Sequence, residues 1–113
     1  MNDHADSLVA RLSPYRETPG ILAALLISRD GFVVAADADP GFAVDEVAAH
    51  VAGAIDLGRR LAVELGQGEA KYITLEFDEL NIVLAPFGEE LMLALVGTPD
   101  ALTCEYRLNT AGA

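Results

Sequence analysis

Between residues 44 and 65, apolar side chains recur at three- and four-residue steps for roughly 22 residues, which as an α-helix is ~33 Å long. A helix of that length spans a small domain, yet the whole chain has only 113 residues and no second helical pattern of similar length. It must lie across a sheet rather than pack in a bundle of equals. Strands stand on both sides of it. The apolar run at 21–27 is too short for a free helix and is bounded by turn residues, so it reads as a strand buried on both faces. Arg29-Asp30-Gly31 turns it into a second strand at 32–36. After Gly66-Gln67-Gly68 stops the helix, three short strands follow at 72–77, 80–85 and 91–96.

A shorter helical pattern at 6–15 opens the chain, with Leu8, Val9 and Leu12 on one face and Pro14 bending or ending it. Thr98-Pro99-Asp100 starts a last helix running to about Leu108, with Thr98 as cap and Pro99 at the first helical position. The order is α-β-β-α-β-β-β-α, with no repeat and no linker to divide residues 1–113 into more than one domain. Residue pairs such as Val83/Leu84, Leu93/Ala94 and Leu25/Leu26 send apolar side chains to both sides of their strands, so both sheet faces need a cover. The expected fold is an α+β sandwich. A five-stranded antiparallel sheet carries the long helix on one face and the two short terminal helices on the other.

The long helix has more apolar surface than one sheet uses. Val47, Val51, Ala54, Gly58, Leu61 and Leu65 form the expected sheet-facing stripe, beside a second one of Ala48, Ala52, Ile55, Arg59 and Ala62. The second stripe is mostly small side chains, which let another helix approach closely. With no long helix left in the chain, the seam is expected to meet its own copy in a two-fold homodimer, and Ala52→Arg to disrupt it. Glu46, His50, Asp56, Arg60 and Glu64 make the wet face, with Glu46/His50, Asp56/Arg60 and Arg60/Glu64 at i,i+4.

Composition narrows the chemistry. Eighteen acidic against seven basic residues leave a net charge of −11, which repels nucleic acid and anionic membranes. The 52% hydrophobic content can fill a core without staples, and the lone Cys104 can form no intrachain disulfide, as suits the cytoplasm. Residues 1–6 have no signal-peptide character, and no apolar run is long enough to span a bilayer. His4, His50 and Cys104 have no motif around them, and the 37–41 loop lacks the calcium-loop glutamate, since position twelve is Ala48. Neither Gly66-Gln67-Gly68 nor Gly31 makes a phosphate loop, so neither a cofactor nor a metal is expected, nor an active site of the chain's own.

The ordered set from Pro19 to about Leu102 resembles the Roadblock/dynein light chain family. The matching pieces are Pro19-Gly20-Ile21 entering an apolar strand, Ser28-Arg29-Asp30-Gly31-Phe32-Val33-Val34-Ala35 as a strand–turn–strand, the alanine-rich helix ending Leu65-Gly66-Gln67-Gly68, Ile82-Val83-Leu84-Ala85-Pro86-Phe87-Gly88, and the strand at 91–96. The resemblance implies a cytoplasmic homodimer without cofactor that binds and regulates a Ras-like small GTPase. Bacterial members commonly act beside a GTPase of the gliding-motility or polarity type, and eukaryotic relatives serve as dynein subunits or scaffolds. It carries the dimer contact onto Ala48, Ala52, Ile55, Arg59 and Ala62 of the helix, and onto Tyr72, Thr74 and Glu76 of an edge-paired third strand. Some bacterial members have a longer C-terminal extension that contributes to the GTPase contact, where this chain ends at Ala113.

Such a regulator can insert an arginine or reorganise the GTPase switch loops, and the resemblance favours the second route. Arg29, Arg59 and Arg60 are the guanidinium groups available to the partner. The alternative reading is a non-catalytic adaptor or scaffold subunit. A small-molecule sensor using the cleft between helix and sheet is a third, and no polar groups are expected to converge there.

Overall fold

The computed structural model describes residues 3–68 and 70–102. Its elements are α1 (Asp3–Arg16), β1 (Ile21–Ser28), β2 (Val33–Ala38), α2 (Val44–Glu64), β3 (Ile73–Glu76), β4 (Asn81–Phe87) and β5 (Leu91–Gly97). All strands pair antiparallel in one sheet of order β2-β1-β5-β4-β3. The order follows from connection length. The tight turns after β1 and β4 make hairpins, whereas α2 carries the chain from one sheet edge to the other, so β3 lands opposite β2 and the meander fills inward to β5 against β1.

Two cores result, one on each face. On one side Leu8 and Leu12 of α1 pack with Ala24, Leu26, Val83, Leu93 and Leu95, together with Ala101 and Leu102. On the other, Ala48, Val51 and Ile55 of α2 pack with Ala23, Leu25, Ile27, Leu84, Ala94 and Val96. The sandwich is as the strand pattern requires. Pro14 does not end α1, which runs two residues further. After β5, residues 98–102 form a hydrogen-bonded turn, with the Leu102 and Ala101 N–H groups donating to the Thr98 carbonyl at 3.1 and 3.0 Å. Asn81, the one buried polar side chain among the described residues, donates from Nδ2 to the Leu102 carbonyl at 3.3 Å and ties that turn to the sheet. The remainder of the expected last helix, with Cys104, lies outside the described residues.

Arg16 holds the first helix to the sheet edge. Its guanidinium donates to Asp39 at 2.7 Å, to Asp37 at 3.1 Å and to the Ile21 carbonyl at 2.7 Å. Hydrogen bonding to Asp39, then to Asp37, raises its pKa above the ordinary arginine value despite partial burial. The group is therefore charged at every accessible pH, and its own titration adds no pH dependence to stability.

The long helix stops at Leu65 in a Schellman arrangement. Gly66 takes φ +68°, its N–H donates to Val63 and that of Gln67 donates to Ala62. At the β1–β2 turn, Gly31 has φ +93°, and a Cβ there would lie 2.9 Å from the Cβ of Ala52. Backbone strain and the close helix act together, so Gly31→Ala is expected to cost about 2 kcal/mol. A urea midpoint unchanged by that substitution would mean the turn does not bear on α2.

Candidate interaction surface

The rotation of α2 about its axis decides what the molecule presents, and it differs from the sequence expectation. Val51 is buried as expected, but Ala48, Ile55 and Ala62, assigned to the seam, are also buried within the single chain. Leu61 and Leu65, assigned to the sheet, are 53% and 70% exposed. Ala48, with only a methyl group, lets the helix settle close to β1, and Ile55 follows seven residues on, on nearly the same line. Ala52 turns toward the β1–β2 turn against Gly31. Ala52→Arg would therefore push on that turn. Ala48, Ile55 and Ala62 cannot form a bare seam, because their own chain covers them.

What is left uncovered is a different set. Among the described residues nine large apolar side chains are exposed, and seven belong to one stretch: Leu57, Leu61, Val63, Leu65, Tyr72, Leu75 and Phe77. Scattered exposed apolar residues are ordinary; Leu57, Leu61 and Leu65, at four-residue steps on one flank of α2, and Leu75 on β3 make a patch, whereas Val63, two residues from Leu61, stands on the other flank. Its geometry follows from where α2 meets β3. Gly58 sits over Ile73, close enough that a Cβ would be 3.2 Å from the Ile73 Cδ1. Leu57 and Leu61 each stand two residues from Arg59, hence on the opposite flank of the helix. Leu75 shares the helix-side face of Ile73 two residues along the strand.

Beside this patch, β3 is the outermost strand, and among the described residues its one strand partner is β4. Tyr72 precedes the strand and is 38% exposed; Thr74 is half-buried and Glu76 exposed. Such an edge invites a further strand.

The arginines divide. Arg60 is exposed and pairs with Asp56 at 2.7 Å, the one of the three expected i,i+4 pairs that closes among the described residues. Arg29 and Arg59 converge instead on a cavity between α2 and the sheet, where the sequence suggested no polar group. No group of three His, Cys, Asp or Glu residues that could hold a metal occurs among the described residues, and no described helix is long and apolar enough to cross a membrane.

A two-sided α+β sandwich whose main exposed feature among the described residues is an apolar helix flank beside an edge strand has the build of a module that associates with other proteins. Residues 2–97 match the Roadblock/LC7 domain, and the chain belongs to that family. It is similar to the gliding protein MglB of Thermus thermophilus, at 26% identity and a TM-score of 0.76 over 96% of this chain and 82% of that one. An MglB with a tetrameric arrangement is 25% identical with a TM-score of 0.77, covering 96% and 81%. Myxococcus xanthus MglB, at 15% identity, shares the fold with a TM-score of 0.82 over 99% and 85%. No curated protein sequence matches the chain significantly.

Proposed function

We propose that this protein is a homodimeric regulator of a Ras-like small GTPase, acting in the cytoplasm without a cofactor or an active site of its own. The observation that carries the dimer is the exposed patch centred on Leu57, Leu61 and Leu75 beside the edge strand β3. A two-fold operation that lays one α2 against its copy would cover Leu57 and Leu61 and bring the two β3 edges together. Tyr72, Thr74 and Glu76 would then lie at the strand junction, as the family resemblance implies. The helix contribution moves from the alanine stripe to the leucine flank. The tetrameric arrangement of one similar MglB supports an associating surface of this kind.

Family membership and the likeness to MglB support the GTPase as partner. The joined helices would present a platform whose exposed basic group is Arg60. Its carboxylate partner on the same helix argues against insertion into a nucleotide site, and favours action through the GTPase's own switch loops. Such action requires different affinities for the two nucleotide states. The test pairs this protein with the Ras-like GTPase encoded nearest to it. At least tenfold tighter binding to one nucleotide state, with a matching change in GTP turnover, is the expected result. Tight but equal binding to both states would leave the adaptor reading; no binding would remove the GTPase altogether.

A further inference from the structure

We infer that the cavity between α2 and the β4–β5 turn is a binding site for a small amphipathic carboxylate. The cavity holds about 300 Å³, at the lower end of small-ligand pockets, and its walls include Ile55, Ile73, Pro86 and Met92. Two of the chain's seven basic side chains, Arg29 and Arg59, border this one space although they come from different elements. Arg29 reaches from the β1–β2 turn and donates through Nη2 to the Glu89 carbonyl at 3.0 Å, which sets its guanidinium against the cavity wall.

Arg59 is the more telling group. In a chain of net charge −11 it is half-buried, yet it makes no ion pair or hydrogen bond among the described residues. Arg16 and Arg60, by contrast, are both held by carboxylates. A partly desolvated guanidinium beside an apolar space favours an acceptor that arrives with an apolar body.

The chemistry selects a carboxylate. Its two coplanar oxygens match the guanidinium fork, and its single charge suits a cavity that Glu89 also lines, where a phosphate dianion would meet more repulsion. The volume suits an unbranched body of roughly eight carbons. The site lies on the Arg59 flank of α2, opposite Leu57 and Leu61, meets the proposed dimer contact only through Ile73 of β3, and does not depend on the GTPase reading.

Octanoate titrated into the ¹⁵N-labelled full chain tests this directly. Saturable amide shifts are expected around Ile55, Arg59, Ile73 and Met92. Octanol, of equal length without the charge, should bind at least tenfold more weakly. Arg59→Gln should weaken octanoate at least fivefold while leaving amide positions outside the cavity unchanged. Absence of saturation, equal binding of octanol, tighter binding of octyl phosphate, an Arg59→Gln variant that binds as well as the parent, or shifts centred on Leu61 and Leu65 would each overturn the assignment.

Discussion

The double variant Leu57→Asp/Leu61→Asp should sediment as a monomer at concentrations where the parent chain is a dimer. In a two-fold contact each substitution acts twice, once on each copy. Burying a leucine that is more than half exposed in the single chain contributes on the order of 1 kcal/mol, and an aspartate in its place adds a desolvation cost. Four such positions per dimer give a total of about 4 kcal/mol or more, a shift in the dimer dissociation constant of roughly a thousandfold. Because both residues are exposed, at 56% and 53%, the monomer's fold should survive with unchanged far-ultraviolet circular dichroism. A double variant that still sediments as a dimer would put the contact elsewhere on the molecule.

Leu12→Ala, on the other side of the sheet, should lower the stability of the chain by about 3 kcal/mol. Its side chain is fully buried among Leu8, Ala24, Leu26 and their neighbours, so its removal leaves a cavity in that layer. With total stability of about 5–15 kcal/mol for a domain of this size, such a loss is readily seen in urea unfolding. The result distinguishes an α1 that is a structural layer from one that merely rests on the sheet. A loss below about 1 kcal/mol would favour the second. Leu61→Ala in the monomeric background gives the contrast: the same truncation, at an exposed position, should change little.

The leucines at 12 and 61 also show what local pattern can and cannot reveal. Leu12 sits with Leu8 on a helix that has one apolar face, so its direction follows from the 3.6-residue period alone. Leu61 sits on a helix with apolar residues over more than half its circumference. There the period says that two stripes exist without saying which one the sheet takes. The choice falls to side-chain volume at the crossing. Ala48 and Gly58 allow the backbone close to β1 and β3, and the helix rotates until Val51 and Ile55 fill the remaining space. The expected dimer positions Ala48, Ile55 and Ala62 fall on the covered stripe for that reason.

The cavity was hidden by the same kind of distance. Arg29 and Arg59 are thirty residues apart, and the sequence places the first in a turn and the second on a helix stripe expected to meet another copy. Only the packing of the β1–β2 turn alongside α2, made possible by Gly31 against Ala52, directs them to one space. The strand Ile73–Glu76 was legible as a strand, but its place at the sheet edge was implied only by family resemblance.

By itself the amino-acid order determined the kind and succession of the elements, the antiparallel hairpins and the need to cover both sheet faces. These depend on hydrogen-bonding period and turn chemistry within a few residues of one another. Tertiary structure alone decided which flank of the long helix is left bare and which distant arginines meet. Both depend on how closely side chains of particular volume can approach across elements far apart in the chain.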